Sequence, residues 1–293
     1  VKVPESTDSS PARIRKTVDL PAPVRPIRAR ISPRSLKGAG GTALPLEAVL
    51  TCLRERPPHV HVVLTGRGAP ALAKQASDAD AVIGLRSLWA DDSLYPIARR
   101  SNIRIVEVDA ARPVDGALPG IAVQPGNKVD GLNSQPWFSS NNMGRMADVM
   151  AADLVRLAPA DKPTIEANLA ALKQRLLKFS ADSEARLASA DNLSVMSLSD
   201  HFGYLIGSLN LELIGVDPRP DTEWTPEALK QLTATLKDND VAVVMHHRQP
   251  SDAVKTAIAE SGSRLVVLSV DGADPVAELE GNVDLVIKGL SGV

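Results

Sequence analysis

Sulfur and aromatic side chains are scarce in this sequence, and each shortage excludes a class of protein. The single cysteine, Cys52, cannot form an internal disulfide or supply a thiolate cluster for a metal. Aromatic residues make up 3% of the chain, so the core must consist mainly of Ala, Leu, Val and Ile. The hydrophobic fraction of 44% is nevertheless enough for a core, and it argues against a fully disordered chain.

Long apolar runs and an excess of one charge are also missing. No stretch approaches the roughly 18 to 20 apolar residues that span a bilayer, so no membrane span is predicted. No charged segment followed by an apolar run stands near Val1, so no signal peptide is visible. The net charge of −2 argues against a nucleic-acid binder, which normally carries a basic surface. We therefore expect no nucleic-acid partner and no membrane span. We also expect a monomer.

Residues 1–43 differ in composition from the rest of the 293-residue chain. They are basic, they hold six of the 22 prolines, and no helical or strand period in them lasts more than a few residues. This composition is typical of a solvated, disordered arm.

Beyond this arm the sequence alternates helical and extended patterns, which indicates a parallel sheet covered by helices. We expect an N-terminal α/β lobe over 44–158 and a C-terminal α/β lobe over 193–293. Residues 159–192 between them predict one long helix with Pro163 in its first turn, where proline is tolerated. The predicted fold class is α/β, with two parallel-sheet lobes joined by a long backbone helix. The helix carries one apolar stripe, formed by Ile165, Leu169, Leu172, Leu176, Phe179 and Leu187.

The paired histidines in "VAVVMHHRQPS" end a predicted strand. Ligands gather at the carboxyl ends of strands in α/β sheets, so His246 is a candidate ligand residue. Neighbouring side chains on a strand point to opposite faces. Unless the strand has already ended, His246 and His247 cannot both enter one site. The structural alternative is a strand-end histidine that hydrogen-bonds to the backbone.

Other polar residues have similar double interpretations. Ser199 or Asp200 is a candidate N-cap with His201 in the first helical turn, or any of the three faces a binding site. Asp271 and Asp274 flank a glycine after the last predicted strand. There Asp274 is typical of an N-cap and Asp271 is a candidate acidic ligand. His59 and His61 alternate on the first predicted strand and form a pair on one of its faces, which favours a structural role.

Catalytic motifs are absent from the sequence. It contains no Gly-x-Ser-x-Gly elbow and no His-Glu-x-x-His helix. Ser199, Asp200 and His201 are consecutive, whereas a Ser-His-Asp triad is assembled from separated positions. The sequence therefore predicts a protein that is not an enzyme.

Three segments resemble the zinc and manganese ABC-transporter solute-binding proteins, the TroA-like group. The run beginning "NSQPWF" is similar to the family's Asp-Pro-His-x-Trp segment and the helix after it. "SLSDHFGYLIGSLNLELIGV" is similar to its Ser-His-Asp-x-Phe-Gly-Tyr segment, and "VVMHHRQPSDAVKTAIAESGSRLVVL" to the strand, loop and helix of its last lobe. The resemblance covers roughly residues 75 to 293.

This resemblance implies a periplasmic protein that binds a metal ion between two lobes and delivers it to an ABC-transporter permease. The chain departs from the family at the ligands, because the usual histidines fall on Gln135 and Ser199 and the one in the first lobe is missing. The implied ligand is a divalent metal, zinc or manganese, or a metal chelate. The alternative is a binding or regulatory module that has lost metal binding. The candidate metal residues are Gln135, Ser199, His201, His246, His247 and Asp271.

A second, shorter resemblance lies at residues 54–70. "RERPPHVHVVLTGRGAP" is similar to a segment near the C-terminus of bacterial cobalamin adenosyltransferases. Those enzymes need a phosphate-binding loop upstream, and this chain has none. A cobalamin-linked enzyme is therefore only a third hypothesis.

Overall fold

A computed structural model describes residues 69–292, except 78, 90, 91, 93, 115, 127–132, 134 and 273. The predicted basic arm, His59, His61 and nearly all of the adenosyltransferase-like segment lie outside the described residues. The described part of the chain forms two compact units. The N-terminal unit holds residues up to 121, 144–174 and 274–275, and the C-terminal unit holds 122–143, 175–272 and 276–292.

The N-terminal unit contains a short parallel sheet with two helices packed beside it. Strand β1 (Ala81–Gly84) pairs in parallel with β2 (Val106–Asp109). Helix α1 (Ala69–Ser77) precedes β1, and α2 (Leu94–Ser101) lies between the strands. The backbone N–H of Leu94, the first residue of α2, donates to Oδ1 of Asp92 at 2.9 Å. The core of this unit consists of Leu72, Ala76, Val82, Leu94, Ala98 and Ile105.

Two long helices contribute residues to both units. Helix α3 (Ser140–Leu157) ends before a short 3₁₀ turn (Pro159–Asp161), and α4 (Lys162–Leu187) follows it. The 26 residues of α4 include Pro163 in the first turn, as predicted. Its predicted apolar stripe is confirmed, because Ile165, Leu172, Leu176 and Leu187 are buried and Leu169 and Phe179 are half-buried.

The C-terminal unit has four parallel strands in the order β4-β3-β5-β6. Every residue of the two central strands, β3 (Ser194–Ser197) and β5 (Val243–His246), is buried, as is typical of a sheet covered on both faces. The outer strands are β4 (Glu212–Val216) and β6 (Arg264–Val267). The helices are α5 (Gly203–Ser208), α6 (Pro226–Asp238), α7 (Asp252–Ser261) and α8 (Pro275–Ser291).

Local sequence explains where two of these helices begin and end. Thr225 accepts a hydrogen bond from the N–H of Ala228 at the start of α6, and Ser251 accepts one from Val254 at the start of α7. Gly262 ends α7 with a φ of 88°, a conformation that favours glycine.

The predicted α/β class with parallel sheets and a long helix is confirmed. None of the described helices is both long and apolar enough to cross a bilayer.

The strand order creates a switch point in the C-terminal sheet. From β3 the chain moves outward to β4, then crosses back to β5 and continues outward to β6. In open α/β sheets, ligands bind beyond the carboxyl ends of the two strands where the order reverses. Here those strands are β3 and β5, whose carboxyl ends lead directly to Ser199 and His247.

Candidate metal-binding site

Pairing between β3 and β5 brings two predicted site segments together. Ser197 lies opposite Met245 in the register, and the N–H of Leu198 donates to the carbonyl of Met245 at 2.8 Å. The segments that follow these strands therefore leave the sheet side by side. Ser199 and His247 meet there, with Oγ of Ser199 2.9 Å from Nδ1 of His247.

The two adjacent histidines lie on the same side of the chain. Strand β5 ends at His246, and the backbone N–H of His247 turns back to donate to Nδ1 of His246 at 2.8 Å. Their ring centroids are 4.9 Å apart, with the planes inclined at 60°. The alternation of side chains holds only within a strand, so the expected divergence of the two rings does not occur.

Ser199 is buried and connects two histidines. Besides its contact with His247, its Oγ accepts a hydrogen bond from the N–H of His201 at 3.4 Å. The predicted helix-capping role for Ser199 or Asp200 is wrong, because α5 begins only at Gly203 and has no side-chain cap. His201 consequently precedes the helix, and its ring is partly exposed.

Gln135 lies in the C-terminal unit and contacts His201 through its amide group. The side-chain Nε2 of Gln135 hydrogen-bonds to Nδ1 of His201. Gln135 is 1% exposed, and its Oε1 is buried without a hydrogen-bond partner among the described residues. An orphan buried carbonyl is costly unless a ligand or water satisfies it, so this atom points to a bound group.

Backbone and aromatic contacts hold Gln135 in place. The N–H of Gln135 donates to Oδ1 of Asn133 at 3.2 Å, and the 3₁₀ turn Pro136–Phe138 follows directly. Trp137 is buried, and the ring of Phe138 lies 5.9 Å from that of Phe202. Phe202 directly follows His201, so this aromatic contact joins the Gln135 segment to the start of α5.

His201 and His247 complete the arrangement. Their ring centroids are 4.7 Å apart and their planes are perpendicular. We call the five residues at this edge the histidine cluster; they are Gln135, Ser199, His201, His246 and His247. All but one of the predicted metal residues therefore come together within the C-terminal unit.

Burial keeps the cluster's strand-end histidines neutral. Desolvation, with the nearby positive charges of His247 and Arg248, lowers the pKa of His246 to about 4. Desolvation and then Arg248 also lower the pKa of His247 below its usual value. Neutral imidazole is the form that binds metals, and each ring therefore has one unprotonated nitrogen at neutral pH; in His246 that nitrogen already accepts the backbone N–H of His247.

Asp271, the remaining predicted ligand, is exposed in the loop after β6. Described hydrogen bonds of this loop run to α8: the N–H of Gly272 donates to Glu278 at 2.6 Å, and that of Ser269 to Asn282 at 2.9 Å. Sequence reasoning did not identify Glu278 and Asn282.

The cluster fits a metal only in part. Imidazole nitrogen and amide oxygen are both ligands of divalent first-row metals. Within the described part of the chain, however, no three His, Cys, Asp or Glu side chains are arranged to hold a metal ion. The cluster therefore offers two or three protein ligands where a structural zinc site has four.

Comparison with solved structures finds the same fold. A mutant of FpvC from Pseudomonas aeruginosa is 24% identical, with a TM-score of 0.62 over 77% of this chain and 85% of that one. FpvC from the same organism in complex with Mn²⁺ is 26% identical, with a TM-score of 0.58 over 76% and 84%. A deletion mutant of ZnuA with zinc bound is 23% identical, with a TM-score of 0.58 over 76% and 82%. No curated protein matches the chain significantly.

A family model extends this likeness to the sequence. The model described as ZnuA, zinc-uptake complex component A, periplasmic, matches residues 67–284. That match covers most of the chain and both described units, and it confirms the resemblance found in the Phe-Gly-Tyr and Trp segments. The chain belongs to the ZnuA family of periplasmic zinc-uptake components.

Proposed function

We propose that this protein is the solute-binding protein of a metal-ion ABC transporter and that it captures its metal at the histidine cluster. One observation carries the proposal: the perpendicular rings of His201 and His247, 4.7 Å apart, beside the amide of Gln135. These groups stand at the switch point of a parallel sheet, where α/β proteins bind ligands. Family membership supports a metal ion as the solute. The contacts within the histidine cluster support this edge of the sheet as the place where it binds.

Four members of the histidine cluster have a proposed role in holding the metal. His247 would bind the metal through Nε2, and Gln135 through its orphan carbonyl oxygen. His201 would bind it through Nδ1 once the side-chain amide of Gln135, which unlike a backbone N–H can rotate away, releases that nitrogen. The hydroxyl oxygen of Ser199 would accept a hydrogen bond from the ring Nδ1–H of His247, as outer hydrogen-bond partners orient the metal-bound histidines of many sites. Asp271 remains a candidate acidic ligand, since its loop follows the strand next to β5.

The small number of imidazoles favours a metal that arrives with ligands of its own. Two imidazoles and one amide oxygen leave at least one coordination position of a tetrahedral ion to water or to a chelator. A metal chelate would complete its coordination in this way. A bare Zn²⁺ or Mn²⁺ ion would retain bound water. Both are divalent cargo that such a site accepts.

Transport partners and location follow from the family. Among the similar proteins, FpvC has been solved with Mn²⁺ and with Ni²⁺, and ZnuA with zinc. The family belongs to a zinc-uptake complex in the periplasm. We propose that the present protein acts in the same compartment, as a monomer that delivers its metal to an ABC-transporter permease, and that it is not an enzyme.

A second candidate function is a binding or regulatory module that kept the fold and lost the metal. The observation in its favour is that no group of three His, Cys, Asp or Glu side chains in the described residues is arranged to hold a metal ion. Under this alternative, the orphan carbonyl of Gln135 would be satisfied by water or by an organic ligand.

Calorimetry separates the two. The protein is stripped with a chelator and titrated with Zn²⁺, Mn²⁺ and Co²⁺, first as wild type and then as His201→Ala/His247→Ala. We expect one ion per chain and loss of binding in the double variant. The control Asp252→Asn removes a carboxylate whose side chain is 98% exposed on α7, and it should bind as wild type does. Stoichiometric binding that survives the double variant, or none to wild type, would overturn the proposed site.

A further inference from the structure

The ring of His246 is committed to its own backbone. This residue is 2% exposed at the end of β5, and its Nδ1 lies 2.8 Å from the backbone nitrogen of His247. A backbone nitrogen can only donate, so Nδ1 must be the acceptor and must carry no proton. The contact therefore determines which tautomer the neutral ring adopts.

That tautomer leaves no lone pair for a metal. In a neutral imidazole one nitrogen carries the proton and the other accepts. With Nδ1 accepting from the backbone of His247, the proton of His246 is on Nε2. A metal ion would have to displace either the backbone hydrogen bond or that proton. His247 is different, since its Nδ1 faces a hydroxyl that can accept or donate, and its Nε2 can remain unprotonated.

The same hydrogen bond holds the turn that aims His247. Beyond β5 the chain leaves the ladder, and the N–H of His247 would need a new partner. Nδ1 of His246 supplies it. The turn that results brings the ring of His247 to 2.9 Å from Ser199 and 4.7 Å from the ring of His201. Without this acceptor the backbone N–H of His247 would have to hydrogen-bond to water, and the turn would lose the hydrogen bond that stabilises it.

We infer that His246 is a positioning residue that acts through Nδ1, and that it is not itself a ligand of the metal. This inference rests on the proposed function, since it assigns the roles of two neighbouring histidines within the same site. Of the two candidate ligands that the sequence offers at the end of β5, the inference leaves His247 alone to bind the metal.

Two substitutions separate the nitrogens of His246. The carbonyl of Asn stands as many bonds from Cβ as Nδ1 does, so His246→Asn keeps the acceptor for the N–H of His247 and removes Nε2. The amide of Gln reaches instead to the position of Nε2, so His246→Gln keeps a group there and removes the acceptor. His246→Leu removes both. A positioning role predicts that Asn retains metal affinity within about threefold and that Gln and Leu lose about tenfold or more.

Two readouts make the test decisive. The nitrogen splitting of bound Cu²⁺ in electron paramagnetic resonance should report the same number of imidazoles in wild type and His246→Asn. In the metal-free protein, nitrogen NMR should show His246 protonated at Nε2, with the amide of His247 protected from exchange in wild type and Asn but not in Gln or Leu.

The outcomes distinguish the two proposals. If wild type binds no metal, the proposed function fails, while the metal-free NMR still decides the role of His246. If wild type binds but Asn loses one bound nitrogen and most of its affinity, His246 is a ligand and the inference is wrong. Protonation of His246 at Nδ1 in the metal-free protein would overturn it as well.

Discussion

Oγ of Ser199 and Nδ1 of His247 lie 2.9 Å apart and join the loops that follow the two central strands of the C-terminal sheet. Each residue comes from a separate part of the sequence, and the contact exists because β3 and β5 are neighbours. Neither residue is held by a helix or a strand of its own. Their mutual hydrogen bond therefore sets the direction of the His247 ring.

Removing the hydroxyl of Ser199 should weaken metal binding without unfolding the protein. In Ser199→Ala, the ring of His247 loses its partner and rotates more freely. We expect a fall in metal affinity of about tenfold, the usual loss for an outer hydrogen-bond partner. Calorimetric titration with Zn²⁺ measures it. Ser208→Ala, which removes a hydroxyl bonded to the carbonyl of Leu205 on α5, is the control and should bind as wild type does. Equal affinity in the two variants would contradict the orienting role.

Restoring the histidine that the family usually carries at Gln135 should strengthen binding. Imidazole is a better ligand for Zn²⁺ than an amide oxygen. Gln135→His would also place a ring where a buried carbonyl now has no partner in the described structure. We expect Zn²⁺ affinity to rise about tenfold, measured by competition with a chromophoric chelator. Gln135→Leu, which offers no ligand atom, should bind more weakly than wild type. If Leu and His behave alike, position 135 does not face the metal.

Most of the fold could be predicted from local signals. Helices α6 and α7 begin at capping residues, and α4 carries an uninterrupted apolar stripe. These signals lie within or next to each helix, so they can be recognised without knowledge of tertiary contacts. Strands β3 and β5 are short apolar runs in an alternating pattern, and that alternation predicts a parallel sheet. The exact ends of elements are less predictable: Ser199 and Asp200 are typical capping residues, yet α5 begins only at Gly203.

The site was less predictable because contacts distant in sequence build it. Gln135 meets His201 across 66 positions, and Ser199 meets His247 across 48. The family resemblance pointed to these positions, whereas periodicity alone did not. The relative direction of the His246 and His247 rings depends on where β5 ends. If the strand were one residue longer, the ring of His247 would face the opposite side of the sheet from that of His246.

Acid should destabilise the protein partly through His246. Its pKa is about 4 in the folded state and about 6.5 when unfolded, so the unfolded chain binds more protons between these values. Stability is therefore complete above about pH 6.5 and is lost as the pH falls toward 4. The contribution of this one ring is a loss of about 2 kcal/mol between pH 7 and pH 5.

Denaturant unfolding of the metal-free protein at several pH values tests this loss. His246→Asn has no titrating ring at this position, so its free energy of unfolding should fall less steeply than that of wild type. The difference between the two proteins should change by about 2 kcal/mol from pH 7 to pH 5, because titrating groups distant from His246 contribute equally to both. Parallel curves would mean that His246 is not held neutral by burial.

Two glycines in α8 should respond in opposite ways to the same substitution. A Cβ on Gly289 would lie 2.8 Å from Cγ2 of Val266 and 3.0 Å from Cγ2 of Val243, both on the sheet beneath the helix. Those β-branched side chains are stiff, so Gly289→Ala must push α8 away from β5 and β6. We expect a loss of about 1 to 3 kcal/mol in the free energy of unfolding, the usual cost of overpacking a core.

Gly281 stands two turns earlier on the same helix, and a Cβ there would meet nothing within 4 Å. Gly281→Ala should therefore stabilise the protein by about 1 kcal/mol, because alanine restricts the unfolded chain and favours the helix. Urea unfolding of both variants, followed by circular dichroism, provides the comparison. Each substitution adds the same methyl group to the same helix. Changes of opposite sign in the free energy of unfolding would therefore show that contact with the sheet causes the destabilisation at Gly289. If both substitutions stabilise the protein, a Cβ on Gly289 does not come as close as 2.8 Å to Cγ2 of Val266, and α8 lies farther from the sheet than described.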